Sequence, residues 1–311
     1  MRVVTAAEIG RVLDYQGLIA AIRDAFAGST TAPVRHHHNF PRDGAADATI
    51  ILMPAWHDGG GFIGVKIVTI FPDNGRKQKP SVMGSYLLLA GDTGKPLAIL
   101  DGRELTLART AATSALVAQA LARPDAHRLA MIGTGALAPR LIAAHAAVRP
   151  IREVSVWGRD LEKATALAQS LDLPGIRVTA TADRDAAVGG ADIVSVATLS
   201  HAPLVAGAWL RPGTHLDLVG AFLPTMREAD DNAVRRATVY VDTRAAMRES
   251  GDIAGPLQSG ALSEAAVAGD LFDLARRPGL WRTSDDEITL FKSVGHAIED
   301  LAAAAYVWGR L

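Results

Sequence analysis

The chain has 311 residues, 49% of them hydrophobic, which is ample for a buried core and longer than a single core usually sustains, so two domains are expected. A formal net charge of −1 with no basic blocks excludes an extended polyanion-binding surface, and with it nucleic acid as a partner. The absence of cysteine excludes a disulfide framework, a thiolate zinc site and a cysteine nucleophile together. Residues 1–14 carry charges throughout and lack the apolar run of a signal peptide, and no later stretch reads as a bilayer span, so no membrane partner and a cytoplasmic location are expected.

Thr5 can cap a helix whose apolar residues recur at Leu18, Ile22, Ala25 and Phe26, before Gly28-Ser29-Thr30 ends it. From Val34 to Leu100, short β-branched runs (ATIILMPAW, FIGVKIVTIF, SYLLLAG) alternate with Gly, Asp and Asn turn signals, which predicts a mostly antiparallel sheet with a hairpin at Asp92-Thr93-Gly94. The small-residue run Thr106–Ala122 predicts a connecting helix stopped by Arg123-Pro124-Asp125. Beyond it, strands RLAMIG, EVSVWG, IRVTAT, ADIVSVAT, THLDLVG and ATVYVDT are interleaved with helical segments, the pattern of a parallel sheet covered on both faces. The segment Ile288–Leu311 predicts a short strand and a last helix.

Gly133-Thr-Gly135-Ala-Leu-Ala138 is a GxGxxA string, a weak signal alone, but it follows an apolar strand and opens a helix, and a second strand ending Trp157-Gly158-Arg159 comes about twenty residues later. That context predicts a Rossmann-type dinucleotide site in which Gly133, Gly135, Ala136 and Leu137 meet the pyrophosphate at a helix N-terminus. An NAD site usually carries an acid after the second strand; here Arg159 stands there, and a guanidinium suits a 2′-phosphate, so NADP(H) is preferred with NAD(H) as the alternative. Asp160 beside it either opposes that phosphate or caps the next helix. Thr198, ending a parallel strand at its carboxyl edge, is a further cofactor candidate.

Four blocks in order, Gly64-Val-Lys66-Ile-Val-Thr-Ile-Phe-Pro72-Asp-Asn74, LTLARTAATSA over 105–115, IGTGALA, and Phe291-Lys-Ser-Val-Gly295 followed by Glu299-Asp300, resemble the ornithine cyclodeaminase/mu-crystallin family over nearly the whole chain. The resemblance implies a homodimer paired through the N-terminal sheet, with the C-terminal helix returning to the N-terminal domain. The fold expected is then α/β, a Rossmann-type parallel-sheet domain over 123–287 plus a smaller α+β substrate and dimerisation domain made of 1–122 and 288–311. It implies chemistry at the α-carbon of small amino or imino acids, with Arg35, Lys66 and Arg109 holding the substrate carboxylate. Ser81, Arg109, Thr110, Val219, Ser293 and Gly295 match positions implied to lie near the cofactor.

Lys66 lies between apolar strand neighbours; desolvated in a cleft it becomes a usable proton donor, whereas on an edge strand it is merely solvated. Arg109 has the plain alternative of a surface helix arginine, Ser81 of a turn residue, and Ser293-Val294-Gly295 of a helix cap. Relative to the family pattern, the aspartate that assists attack by the ornithine side chain is replaced by Phe222, and a substrate-binding glutamate by Ile51. Neither replacement can bind an ammonium. The resemblance with these losses therefore implies an NAD(P)H-dependent reductase of a cyclic ketimine such as Δ1-pyrroline-2-carboxylate, or of a small 2-imino acid. Ornithine cyclodeamination, alanine-type dehydrogenation and non-catalytic ligand binding of the mu-crystallin kind remain as alternatives.

His36-His37-His38 offers only two rings on one strand face with no carboxylate nearby, so no metal site is expected. Glu299-Asp300 and Asp285-Asp286-Glu287 read as helix-surface or helix N-terminal charge, and His296 as a packed histidine or a substrate contact.

Overall fold

The computed structural model describes residues Met1–Leu311, which form two compact units, Met1–Arg109 with His296–Leu311, and Thr110–Gly295. The sequence division at 122/123 and 287/288 is displaced on both sides. The first boundary falls inside one continuous helix, and the strand after residue 288 hydrogen-bonds into the second unit's sheet.

The first unit opens with strand β1 (Arg2–Val4), helix α1 (Ala6–Val12) and helix α2 (Tyr15–Ala27). The single helix expected here is two. Thr5 caps the first in a reciprocal capping box with Glu8, and Asp14 caps the second by accepting from the Gln16 and Gly17 amides, so the second cap restarts the helix. Strands β2 (Thr30–Thr31), β3 (His36–Arg42), β4 (Ala45–His57), β5 (Phe62–Ile70), β6 (Val82–Ala90) and β7 (Pro96–Asp101) follow, then helix α3 (Gly102–Leu121), which starts four residues before the expected Thr106. The sheet runs β1-β7-β6-β5-β4-β2, with β3 on β4. It is antiparallel, as expected, except where the unforeseen β1 lies parallel to β7.

Because side chains alternate along a strand, the register sorts this sheet into two faces. Lys66 is paired with Met53 on one side and Tyr86 on the other, so these three and Leu88, Ala98 and Leu100 share one buried face. The opposite face carries Leu52, Trp56, Ile67, Met83 and Leu87; Trp56, Ile67 and Met83 are exposed, and no helix of this unit packs on them.

The second unit is an eight-stranded, wholly parallel sheet. Its elements are β8 (Arg128–Ile132), α4 (Ala138–Val148), β9 (Glu153–Trp157), α5 (Leu161–Ser170), β10 (Arg177–Ala180), α6 (Arg184–Gly190), β11 (Ile193–Val196), β12 (His215–Leu218), α7 (Asp231–Arg236), β13 (Thr238–Val241), α8 (Ala246–Glu249), α9 (Gly251–Ser259), β14 (Val267–Asp270), α10 (Leu271–Arg276) and β15 (Thr289–Lys292). The strand order is β10-β9-β8-β11-β12-β15-β13-β14, so the chain reverses direction between β8 and β11, the switch point where open α/β sheets bind ligands. Its β-branched strands, buried on both faces, supply the core with Val194, Val196, Leu216, Leu218, Val239 and Leu290. The chain returns to the first unit in α11 (Ala297–Trp308), which packs on α2 and on the Lys66 face of β4 and β5. No helix is long and apolar enough to cross a membrane.

Candidate active site

Five adjacent parallel strands of the second unit end along one carboxyl edge, and that edge collects most of the residues expected to hold a cofactor. In sheet order these are Arg159 beyond β9, Gly133 and Gly135 beyond β8, Thr198 beyond β11, Val219 beyond β12, and Ser293 and Gly295 beyond β15. Gly133 has φ +121°, and a Cβ there would meet the Ala197 carbonyl oxygen at 2.4 Å, so only glycine makes this turn. The Cβ direction of Gly135 is open space. Helix α4 has no side-chain cap, and the amides of Gly135, Ala136 and Leu137, the first two in exposed residues, have no acceptor within the chain. Uncapped donors at the start of an eleven-residue helix, reached past a glycine, fit a pyrophosphate.

Arg159 is exposed and makes no ion pair, whereas the Asp160 carboxylate is spent on capping α5 through the Glu162 and Lys163 amides. Thr198 and Ser293 turn out to be engaged inside the protein. The Thr198 amide and hydroxyl both donate to Glu228 Oε1, at 2.7 and 2.9 Å. The Ser293 hydroxyl lies 3.4 Å from Asp242 Oδ2, which also accepts from the Val294 and Gly295 amides at 2.6 Å. Ser293-Val294-Gly295 is therefore pinned by an aspartate at the end of β13 and does not cap α11. His296 caps it, in a capping box with Glu299. Thr110 is buried in the second unit's part of α3.

In the first unit the sheet and α11 assemble a buried ionic cluster. Lys66 Nζ lies 2.7 Å from Asp300 Oδ2, Arg109 Nε 3.0 Å from Asp300 Oδ1, and Arg109 Nη1 2.6 Å from Glu299 Oε2. All four residues are at most 5% exposed. Strand β5 is interior to the sheet, so Lys66 is no solvated edge residue. Arg109 lies about two turns into α3 as a buried ion-pair partner, not a surface helix arginine.

The reading of Glu299 and Asp300 as surface charge fails. They occupy the first turn of α11, but that turn faces the two cations and both carboxylates are fully buried. Asp285 and Asp286, in contrast, stand in an exposed turn.

Burial pushes the Lys66 ammonium down to about 8, helped by Arg109, while Asp300 and Glu299 resist that fall. Burial acts on Asp300 in the opposite sense, yet Lys66 and then Arg109 hold its carboxyl below the usual range. Burial pushes His296 down to about 4, with Arg35 the next cause, so its imidazole is neutral at physiological pH and Arg35 lies close enough to act on it. The Tyr86 hydroxyl is buried without a partner, near enough to Asp300 that burial and that charge both raise it. Its ring fills the place where a Gly64 Cβ would stand, 2.0 Å from the hydroxyl oxygen, which explains the glycine two residues before Lys66.

A sequence model of the ornithine cyclodeaminase/mu-crystallin family matches residues 2–311. The chain belongs to that family. It is 42% identical over 290 residues to the Δ1-pyrroline-2-carboxylate reductase of Paracoccus denitrificans, covering 93% of this chain and 86% of that protein. Among solved structures it is similar to Thermococcus litoralis Δ1-pyrroline-2-carboxylate reductase in complex with NADH and L-proline, with a TM-score of 0.92 and 31% identity over 100% of this chain and 97% of that one. It is also similar to an archaeal alanine dehydrogenase dimer with bound NAD, with a TM-score of 0.90 and 27% identity over 100% and 95% of the two chains. The family and the α/β fold with a Rossmann-type sheet are those expected from the sequence.

The structure gives the positions of the two residues that the sequence reading set apart from the family pattern. Ile51 lies on β4, two residues from Met53 and on the Lys66 face, so an apolar side chain stands on the face that carries the cations. Phe222 is 43% exposed just beyond β12. Ser81 is half-buried at the start of β6, its carbonyl accepting from the Phe71 amide at 2.8 Å. The three histidines of β3 are exposed, and no group of histidine, aspartate and glutamate is arranged to hold a metal.

Proposed function

We propose that this chain is an NAD(P)H-dependent reductase of a cyclic 2-imino acid, taking Δ1-pyrroline-2-carboxylate to proline. The observation that carries the reading is the buried Lys66–Asp300–Arg109–Glu299 cluster, which sets two cations against two carboxylates on one face of the first sheet. Reduction of a C=N bond needs a hydride at carbon and a proton at nitrogen. A bound nicotinamide cofactor would supply the hydride. Lys66, charged below about 8, supplies or relays the proton, and Asp300 holds its ammonium in place. Arg109 and Arg35 bind the carboxylate, Arg109 through donors not used on Glu299 and Asp300. The names of the similar Paracoccus and Thermococcus proteins support this substrate class.

Phe222 and Ile51 favour an uncharged ring over ornithine. Neither side chain can accept a proton from an amine or balance its charge.

For the cofactor, we favour NADP(H). Arg159 is exposed and unpaired, and Asp160, whose charge would oppose a 2′-phosphate, is engaged with two backbone amides. The bound NADH of the Thermococcus reductase keeps NAD(H) as the alternative. The uncovered apolar face of the first sheet supports a homodimer, the state named for the archaeal alanine dehydrogenase. We place the enzyme in the cytoplasm, with the reduced cofactor it consumes.

The test is oxidation of NADPH and NADH at 340 nm with Δ1-pyrroline-2-carboxylate, Δ1-piperideine-2-carboxylate, and pyruvate plus ammonia. Consumption with a cyclic imine is expected. Consumption only with pyruvate and ammonia would favour alanine-type dehydrogenation, and cofactor binding without turnover would favour a ligand-binding protein.

A further inference from the structure

The second unit contains a buried ionic group that the reaction does not use. Glu228, Asp252 and Lys292 are fully buried, with Lys292 Nζ 3.3 Å from Asp252 Oδ2 and 3.7 Å from Glu228 Oε2. Glu228 takes four hydrogen bonds from two separate loops. Oε1 accepts from the Thr198 amide and hydroxyl at 2.7 and 2.9 Å. Oε2 accepts from the Gly220 and Ala221 amides at 2.7 and 3.1 Å. One loop follows β11 and the other follows β12, neighbours in the sheet, and both lie on the carboxyl edge. Asp252 Oδ1 in turn accepts from the Glu228 and Ala229 amides, fixing the glutamate's own backbone.

The chemistry of this point explains the residue type. Four donors converge on two oxygens, and only an ionised carboxylate presents acceptors at both positions. Glutamine would turn an NH2 group against either the Thr198 donors or the Gly220 and Ala221 amides. Burial raises Glu228 to about 7, while Lys292 and the Thr198 donors pull against it.

We propose that Glu228 is a positioning residue for the cofactor: its carboxylate ties the loops after β11 and β12 into one rim of fixed spacing, on which Thr198 and Val219 stand. The residues next to the tied amides, Leu199 and Phe222, are 69% and 43% exposed, so the same tie presents two large apolar side chains at that rim. The inference rests on reading the second unit as the nicotinamide domain.

The experiment is NADH and NADPH binding to the full-length protein, followed by fluorescence, together with KM and kcat for the imine and thermal melting, in the wild type, E228Q and D192N. Asp192 is a control at the opposite edge of the same sheet, where it accepts from the His127 and Arg128 amides and pairs with Arg123. E228Q should weaken cofactor binding at least about tenfold, the usual consequence of losing hydrogen bonds to a charged group. D192N should lower the melting temperature with cofactor affinity unchanged. Wild-type affinity in E228Q, or equal weakening in D192N, overturns the proposal by making Glu228 a purely structural residue. If E228Q does not fold, E228D serves: it keeps the charge but is one methylene short of spanning both loops, so intermediate affinity is expected and wild-type affinity overturns the proposal. Failure of the wild type to bind either cofactor would instead sink the functional reading.

Discussion

Replacing Asp300 by asparagine keeps its shape and removes one charge from the buried cluster, and the consequences can be worked from the contacts. Asp300 gives one oxygen to Lys66 at 2.7 Å and the other to Arg109 Nε at 3.0 Å. In D300N the amide can accept on one side only, and its NH2 group confronts a cation on the other. Breaking a buried pair by removing one partner costs about 3–5 kcal/mol. Glu299 remains on Arg109, which places the expected loss near about 3 kcal/mol. The charge effect has a definite sign. Burial already holds Lys66 at about 8, and Asp300 is the largest influence opposing that fall, so its neutralisation drives Lys66 lower still. The ammonium is the active form and is lost as pH rises through that value. The wild-type rate should therefore fall above about pH 8, and the alkaline limb of kcat/KM in D300N should move toward neutrality. Urea denaturation and the pH dependence of kcat/KM with Δ1-pyrroline-2-carboxylate measure the two effects. A limb that stays in place in D300N, with stability unchanged, would refute the claim that Asp300 sets the charge of Lys66.

Lys66→Met should leave cofactor binding intact and lower kcat by about 10²–10⁴-fold, the usual range for loss of a general acid, as read by steady-state kinetics; a change in KM for NADPH alone would contradict the role. Arg159→Gln should raise KM for NADPH by about tenfold, the loss of one charge-assisted contact, and leave KM for NADH nearly unchanged, so equal effects on both would remove the case for the 2′-phosphate. Ile67→Glu places a charge in the middle of the exposed apolar face of the first sheet and should convert a dimer to monomer in light scattering, while an unaltered dimer would locate the interface elsewhere.

Much of this architecture is legible in the residues because the patterns are local. The β-branched runs of the second unit announce a parallel sheet, and GTGALA between a strand and a helix announces the tight glycine turn and the start of α4. The place of Arg159, just beyond β9, follows from the strand before it.

What escaped the sequence depends on distant contacts. Glu299 and Asp300 look like ordinary first-turn acids, and only the packing of α11 on β5 sets them against Lys66 and Arg109, the arginine lying 190 positions from Glu299 and 191 from Asp300. The available signal was reciprocal: a lysine and an arginine in apolar surroundings require buried anions, and the last helix carries two adjacent acids in otherwise apolar sequence. Glu228 was missed for a different reason. It lies in a segment with no periodicity, and three of its four hydrogen-bond donors are backbone amides, which leave no trace in residue type. The early helix was misread because Asp14, a second cap, sits inside an otherwise continuous apolar spacing. The boundary at residue 109 falls within α3, where an unbroken run of helix formers gives no sign of the change of unit.

The most direct test of the account is to follow deuterium from NADPH deuterated at both C4 positions of the nicotinamide, with NADH labelled likewise in parallel, during incubation with Δ1-pyrroline-2-carboxylate, and to assay ornithine separately for ammonia release. The account predicts proline carrying deuterium at the α-carbon and no ammonia from ornithine. Unlabelled or absent proline, or proline and ammonia formed from ornithine, would contradict it.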